Sequence, residues 1–400
     1  MDSPRTLSIR SSVGASESFD TVEAAAEAAG RASADLDQPC DLAVVFSSGH
    51  HLGMAKWLLS EVHELLEPRA LIGCGAGGTV AGGHELEDTP GVVVWAASLP
   101  GAQLETMHLT AERDGEGFRL LGLPEPLAVA EDRSVPSSDE SVIAFCDPFS
   151  FPAEVLLAAL ERSRPRLPVL GGLASASFAG GAVLLCDGDV HTGGAVAVSL
   201  RGVQVLPCVS QGAGPVGPEM TITSAEANVI GELAGKPAME RLGEVIASLP
   251  EHERELAASG VLIGLVIDEN RPEYERGDFL VRPIIGADRE SGAIAIGEPV
   301  RVGQTVRLQV RDAASADEDL RQALRAQARA LGSAGAAGAL LFTCNGRGSH
   351  MFDLPDHDAS AVEDSLGAPT AGFFCAGEIG PVGGRNFLHG FTATMAVFPA

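Results

Sequence analysis

A unit of about 60 residues recurs three times along the chain, and this recurrence restricts the fold more than any other feature. Each copy begins with a short apolar run, has a second run starting about 26–30 residues later, and closes with a third. Because that spacing accommodates one helix and its turns, the predicted order in each copy is strand, helix, strand, strand. The runs are LAVVFSS, ALIGCGAGG and GVVVWAASL (residues 42–48, 70–78 and 91–99), then VIAFCD, PVLGGLASA and GGAVAVSL (142–147, 168–176 and 193–200), and finally ALLFTC, PTAGFFCAGE and HGFTATMAV (339–344, 369–378 and 389–397).

The runs and the segments between them differ in periodicity. The runs are rich in Val, Ala, Leu and Phe and are bounded by Gly or Pro, a pattern typical of strands buried on both faces. Residues 53–66, by contrast, place their apolar side chains on one helical stripe, and Pro68 follows where the helix must end. Equivalent helices are predicted at residues 151–161 and 359–366.

The recurrence predicts an α/β protein of two domains, built from layered sheets that are covered by helices. Residues 1–24 are predicted to form an N-terminal tail, and residues 25–217 a domain of two copies. Residues 218–400 are predicted to form a second domain, which begins with a connecting segment at 218–258.

The region between the second and third copies has its own pattern. Helices are predicted from Pro237 onwards and over residues 317–331. The apolar runs between these helices predict four strands, which are compatible with a diverged fourth copy. Those strands are expected at residues 261–268, 279–285, 292–300 and 305–310. Residues 131–139 read as a surface loop.

Acidic residues outnumber basic ones, with 54 Asp and Glu against 27 Lys and Arg and a formal net charge of −27. A field of this sign repels phosphate backbones and anionic lipid surfaces. Neither nucleic acid nor membrane is therefore expected as a partner. The N-terminus lacks the pattern of a signal peptide, and no apolar run reaches the roughly 18 residues that cross a bilayer. A cytoplasmic location is predicted.

The seven cysteines are dispersed and show no CxxC pair, so free thiols are expected, with no metal and no cofactor. Gly73, Gly75 and Gly78 match GxGxxG, but Gly82 and Gly83 interrupt the helix that a dinucleotide site requires.

Polar residues follow the first two runs of the third copy, in CNGRG (344–348) and CAGEIGP (375–381). Loops at the carboxyl ends of neighbouring parallel strands open on one side of a sheet. Arg347 and Glu378 would then present a cation and an anion to one cavity, suited to the carboxylate and ammonium groups of a zwitterion. The alternative is that these two side chains form a salt bridge with each other and only join the two loops.

Two further readings concern thiols and imidazoles. Cys344 and Cys375 suggest a nucleophile, with His350, His357 or His389 as its base, although cysteines at strand ends are more commonly small buried hydrophobes. The adjacent residues His50 and His51, after the first run, either line a ligand site or lie in a solvated loop.

The third copy carries a family resemblance. CNGRGSHMF, followed by PDHDASAVEDSLGAPTAGFFCAGEIGPVGGRNFLHGFTATMAVF, resembles the C-terminal FIST domain, and LAVVFSS with PRALIGCGAGGTVAGG resembles the N-terminal FIST domain. The resemblance covers residues 25–398. It implies a bacterial signal-transduction protein that senses a small ligand, with amino acids proposed for the family. A separately encoded signalling protein is the expected partner.

The family motif falls on Cys344, Asn345, Gly346, Arg347, Gly348, His357, Asp358, Gly372, Phe373, Gly377, Glu378, Gly380, Pro381, Asn386 and His389. The predicted ligand-binding residues are Cys344, Asn345, Arg347, Gly348, Phe373, Cys375, Glu378 and Asn386. Arg347 and Glu378 are the expected polar anchors, and Phe373 is the expected wall. The leading hypothesis is a cytoplasmic sensor of a small polar ligand. A cysteine-dependent enzyme and a protein-binding scaffold are the alternatives.

Overall fold

The computed structural model describes residues 8–115, 117–128, 139–178, 181–258, 260–274 and 276–400. The elements up to residue 211 are β1 (Arg10–Ser16), α1 (Thr21–Ala34), β2 (Leu42–Ser48), α2 (Ala55–Leu66), β3 (Ala70–Ala76), β4 (Thr79–Ala81), β5 (His84–Leu86), β6 (Val92–Ser98), β7 (Gln103–Asp114), β8 (Gly117–Leu121), α3 (Glu125–Ala128), β9 (Glu140–Cys146), α4 (Ala153–Ser163), β10 (Val169–Leu173), β11 (Ser177–Phe178), β12 (Gly181–Ala182), β13 (Leu184–Cys186), β14 (Asp189–His191), β15 (Ala195–Arg201) and β16 (Leu206–Gln211). Those that follow are β17 (Ala213–Glu226), β18 (Val229–Leu233), β19 (Lys236–Pro237), α5 (Ala238–Ser248), α6 (Glu251–Ala258), β20 (Val261–Val266), β21 (Phe279–Ala287), β22 (Ile294–Ile296), β23 (Thr305–Arg311), α7 (Ala313–Leu331), β24 (Ala336–Cys344), α8 (Ser349–Phe352), α9 (His357–Leu366), β25 (Thr370–Cys375), β26 (Glu378–Val382), β27 (Arg385–His389) and β28 (Thr392–Pro399).

Each predicted copy forms the centre of one sheet. The sheets have the strand orders β1-β6-β2-β3-β13-β14, β8-β7-β15-β9-β10-β26-β27 and β16-β28-β24-β25-β4-β5. In every copy the first two strands are parallel and are joined by a helix, and the closing strand pairs antiparallel with the first. The predicted order of strand, helix, strand, strand is confirmed in all three copies.

The three sheets complete one another by exchanging β-hairpins. The hairpin β4–β5 of the first copy pairs with β25 in the third sheet. The hairpin β13–β14 of the second copy pairs with β3 in the first sheet, and β26–β27 of the third copy pairs with β10 in the second. Each hairpin therefore covers the strand edge of another copy, in a closed cycle of three.

One glycine in each copy is required by the parallel pair. A Cβ atom at Gly73, Gly171 or Gly372 would lie 2.2, 1.9 or 2.0 Å from a carbonyl oxygen of the neighbouring strand, which leaves no room for a side chain. Gly73 is thus part of the sheet packing, and the GxGxxG match at Gly73 has a structural cause.

Aromatic side chains from the three copies meet in the core. Phe46, Phe145 and Phe342 occupy the first strand of their respective copies, and all are fully buried. The ring centroids of Phe46 and Phe145 are 5.4 Å apart, and those of Phe145 and Phe342 are 5.8 Å apart. The Phe373 ring lies 5.0, 5.5 and 5.9 Å from these three rings. Each such aromatic pair stabilises the fold by about 0.5–1.5 kcal/mol beyond the contribution from burying the rings.

The helices that the sequence predicts lie close to their predicted positions, whereas α1, α3, α6 and α8 were not predicted. α2 and α4 each begin two residues later than the sequence indicates, and α9 begins two residues earlier. Among the unpredicted helices, α1 starts inside the predicted tail, as β1 also does. Its N-cap Asp20 accepts hydrogen bonds from the backbone N–H groups of Val22 and Glu23, and its alanine stripe is buried.

Packing divides the chain into two compact units, Met1–Val209 with Leu320–Ala400, and Ser210–Asp319. This division does not coincide with the predicted boundary near Gly217, because hairpin exchange places the third copy in the same unit as the first two. Residues 1–7 of the predicted tail, and residues 131–138 of the predicted surface loop, lie outside the described residues.

The second unit is an antiparallel sheet of order β17-β23-β20-β21-β22-β18-β19, accompanied by α5 and α6. The four predicted strands are present as β20 to β23. The hypothesis of a fourth copy is wrong, because β20 and β21 pair antiparallel and so lack the parallel pair that defines a copy. Within the described ranges, no helix is long and apolar enough to cross a membrane.

Hairpin exchange predicts that residues 1–236 expressed alone will not fold stably, because β10 loses its partner β26 and the hairpin β4–β5 loses β25. Circular dichroism and thermal unfolding, with the full chain as control, test this. A monomeric fragment with a cooperative transition and dispersed amide resonances would contradict it.

Candidate functional site

Arg347 lies in the loop after β24 and pairs with Asp358 in the first turn of α9. Its Nε and Nη2 atoms donate to the two carboxylate oxygens of Asp358 at 2.6 and 2.8 Å, and neither residue is exposed. Thr343 donates to the same carboxylate at 2.6 Å, and a ring nitrogen of His357 lies 2.9 Å from it. Although burial alone would raise the pKa of Asp358, the Arg347 charge and these hydrogen bonds hold it well below its usual range.

Glu378, the first residue of β26, is also fully buried but has different partners. One carboxyl oxygen accepts hydrogen bonds from the backbone N–H and the hydroxyl of Thr392, at 3.1 and 2.8 Å. Burial raises the pKa of Glu378 to about 8, and the bonds from Thr392, a hydrogen bond with Cys344 and the Arg347 charge only partly oppose this. Glu378 is consequently neutral over much of the physiological range.

The structure supports neither sequence-based alternative for Arg347 and Glu378. The Arg347 guanidinium forms its salt bridge with Asp358, so the alternative of a salt bridge between Arg347 and Glu378 is wrong. Both side chains are inaccessible to solvent, so they do not line an open cavity. Nη1 of Arg347 and Oε1 of Glu378 each lack a hydrogen-bond partner among the described residues.

Two other predicted residues have structural roles. Phe373 lies in the aromatic core instead of forming the wall of a pocket. Asn386 joins an exchanged hairpin to the second copy, because its side chain accepts from the Val169 N–H at 2.9 Å and donates to the Leu167 carbonyl at 2.7 Å. Asp187 joins another exchanged hairpin to the first sheet, because its carboxylate accepts from the Leu71 N–H at 3.0 Å and its backbone N–H donates to the Leu71 carbonyl at 2.8 Å.

The backbone of Gly348 lies close to another group, but that group is a side chain of the protein rather than a ligand. Its φ and ψ of 62° and −151° suit glycine alone, and a Cβ atom there would lie 2.5 Å from a carboxylate oxygen of Glu87. Glu87 in turn accepts from the N–H and hydroxyl of Ser349, at 2.8 and 3.1 Å. The loop after β24 is thus fixed from the first copy.

The two candidate cysteines are poorly suited to be nucleophiles. Cys344 is 6% exposed, and burial followed by the charge of Glu378 raises the pKa of its thiol to about 12. Cys375 has no exposed surface, and burial raises the pKa of its thiol well above the ordinary value. Thiolates, which are the reactive form, are therefore rare at neutral pH.

The two histidines after β2 hold that loop to the first residue of α1 and to Phe19, which precedes the helix. His51 is fully buried, and its Nδ1 lies 2.9 Å from the hydroxyl of Thr21. His50 stacks on Phe19, with ring centroids 4.4 Å apart. Within the described part of the chain, no group of three or more His, Cys, Asp or Glu side chains is arranged to hold a metal ion.

An open cavity of about 120 Å³ lies where loops from all three copies meet. We call it the three-repeat cavity. The first copy contributes its glycine-rich turn and two acids, the second a serine, and the third an amide, an imidazole and an aromatic ring. Its lining residues are Gly77, Gly78, Glu87, Asp88, Ser175, Asn345, His350 and Phe374.

Asn345 is the predicted site residue that lines this cavity. Ser175 braces the floor, since its hydroxyl accepts from the Gly77 N–H at 2.8 Å and donates to the Phe374 carbonyl. Asp88, Asn345 and His350 are solvent-exposed and project polar groups at its mouth. The sequence signal for this site was the set of glycine-rich and polar segments at the three strand ends, which only the fold brings together.

The buried carboxyl group makes stability depend on pH. Unfolded Glu378 loses its proton near its ordinary pKa of 4.5, whereas the folded protein keeps it up to about pH 8. Stability from this group is therefore full below pH 4.5 and is lost as the pH rises to about 8. In the parent protein this group should lower the free energy of unfolding by on the order of 4 kcal/mol between pH 5 and pH 8, at about 1.4 kcal/mol per pH unit. Glu378→Gln should remove this decline. Urea unfolding of both proteins across this range measures it, and parallel pH profiles would contradict it.

All seven cysteines are buried and unbridged. We therefore expect iodoacetamide at pH 7.5 to label the native chain at least about a hundredfold more slowly than the denatured chain. Mass spectrometry of the labelled peptides checks this. Rapid labelling confined to Cys344 or Cys375 would instead revive the enzyme hypothesis.

Comparison with known families agrees with the architecture. The FIST N domain matches residues 41–236, and the FIST C domain matches residues 238–381. An uncharacterized protein of Mycobacterium tuberculosis strain H37Rv is 47% identical over 395 residues, covering 98% of this chain and 100% of its own. An uncharacterized protein of Mycobacterium bovis is 44% identical over 394 residues, covering 98% and 99%. The chain therefore belongs to the FIST family, whose domains are regarded as sensory and signal-transduction modules.

Proposed function

We propose that the chain senses a small polar ligand, such as an amino acid, which binds in the three-repeat cavity. The observation that carries this proposal is the convergence of loops from all three copies on one cavity. A ligand there contacts strand ends of three different sheets, and ligands of α/β proteins commonly bind at such carboxyl ends. Binding would thereby bias the packing of the whole unit, as a sensor requires.

The volume of the cavity limits the ligand. About 120 Å³ corresponds to roughly four water molecules at ~30 Å³ each, so nucleotides and other large cofactors do not fit within it. This favours a compact molecule with several polar groups. Glycine or alanine is of a suitable size class.

The lining suggests how a zwitterion would be oriented. Asp88 offers a carboxylate for an ammonium group, while the amide of Asn345 and the imidazole of His350 offer donors for a carboxylate. Both oxygens of Glu87 are already engaged by Ser349, so Glu87 shapes the cavity and adds negative charge. The polar anchors proposed here are therefore Asp88 and Asn345 in place of Arg347 and Glu378.

We further propose that this sensor works in the cytoplasm and passes its state to a separate signalling protein. The unbridged cysteines are compatible with a reducing compartment. The partner's role follows from the sensory character of the family. Chemical crosslinking to candidate signalling proteins, with and without ligand, tests whether association depends on the ligand.

A thermal-shift screen of amino acids and similarly sized metabolites tests the binding proposal. A ligand at about 100 times its Kd should stabilise the chain by about 2.7 kcal/mol. Asp88→Asn and Asn345→Ala should abolish the shift without lowering the transition of the unliganded protein, because both side chains are exposed. Glu64→Gln, an exposed acid on α2, is the matched control and should keep the shift. A shift that survives both cavity variants would sink the proposal.

A further inference from the structure

A second cavity, of about 670 Å³, lies against the edge of the second sheet, apart from the three-repeat cavity. It is bordered by β8, by the connection from β8 to α3, and by the last turns of α4. The consecutive residues Phe118, Arg119, Leu120 and Leu121 of β8 all line it. Because side chains alternate between the faces of a strand, a cavity that contacts four residues in a row must lie along the strand's edge.

The cavity has an apolar floor. Phe118, Leu120, Leu123, Ala128 and Ala159 contribute to it, and Phe118 remains 43% exposed. The Ser163 hydroxyl does not offer a free donor, because it bonds the carbonyls of Leu127 and Ala159 at 2.6 and 3.0 Å. Covering this floor with an apolar group would remove exposed hydrocarbon from water, which favours binding.

Basic side chains outnumber acidic ones in the lining of this cavity, in contrast to the chain as a whole. Arg119 and Arg162 line it with a single acid, Asp114, although acids outnumber bases 54 to 27 overall. Arg162 has no carboxylate partner among the described residues. Arg119 pairs with Glu112 at 2.9 Å, but both side chains are more than half exposed. An exposed pair of this kind contributes little to stability, so Arg119 can exchange its partner for a ligand at little cost.

We propose that this cavity binds a small amphiphilic anion, a carboxylate attached to an apolar chain or ring. The carboxylate would lie between the guanidinium groups of Arg119 and Arg162, which bind such groups in a bidentate manner. The apolar part would cover Phe118 and the neighbouring leucines. The volume falls in the range of roughly 300–1,000 Å³ that small-molecule sites occupy. This site goes beyond the proposed sensing of a small polar ligand and does not depend on it.

Isothermal titration calorimetry of the full chain with decanoate, below its micelle concentration, tests the proposal. We expect saturable binding at one molecule per chain. Decanol, which has the chain without the charge, and acetate, which has the charge without the chain, should each bind at least about tenfold more weakly, a difference of about 1.4 kcal/mol. Equal affinity for decanol and decanoate, or no saturable binding of decanoate, would overturn the proposal.

Variants locate the binding. Arg162→Gln should weaken decanoate binding about tenfold, and the double variant with Arg119→Gln should remove it, whereas Arg289→Gln, an exposed arginine outside the cavity, should bind like the parent chain. Ala159→Leu, which fills part of the floor, should weaken binding while leaving both charges in place. Circular dichroism confirms that each variant is folded. Retention of parental affinity by both Arg162→Gln and Ala159→Leu would place the binding elsewhere and refute the assignment.

Discussion

Exchange of hairpins among three sheets is the constraint on which the rest of the structure depends. Each copy leaves one edge of its parallel pair open, and a hairpin from another copy supplies the missing backbone partners. Because the exchange is cyclic, no copy is complete without a second, and the set closes only when the third is present. The same cycle brings Phe46, Phe145 and Phe342 into one core and the three sets of strand-end loops to one cavity.

Closure of the cycle also explains the distribution of buried charge. The loop after β24 is held to α9 by the pair of Arg347 and Asp358, and to the first copy by Glu87, which binds Ser349. A buried ion pair is costly to break, by about 3–5 kcal/mol when one partner is removed. The motif residues Arg347, Gly348 and Asn386 therefore fix loops and hairpins, whereas Asp88 and Asn345 are exposed at the three-repeat cavity.

The sequence predicted the strands and helices of the copies because burial on both faces and a helical stripe are local patterns. It did not reveal the partners of the hairpins, since pairing between β4 and β25 joins residues nearly 300 positions apart. Gly217 was a reasonable boundary along the chain, but packing follows the exchange instead. Arg347 and Glu378 were predicted either to face one cavity or to form a salt bridge with each other. Their burial, and the choice of Asp358 as partner, depend on tertiary structure that spacing does not encode. Asn345 lines a cavity, but no residue of 375–381 lines it as well, and Phe373 points into the core.

Native-state hydrogen exchange tests the central claim most directly, namely that the three copies form one cooperative body. The amides of Phe46, Phe145 and Phe342 lie in equivalent central strands of the three sheets. If each sheet needs a hairpin from another copy, these amides should share one opening free energy, equal to that of global unfolding. Exchange of one strand at a markedly lower free energy, with the other two still protected, would show that a copy opens independently and would contradict the account.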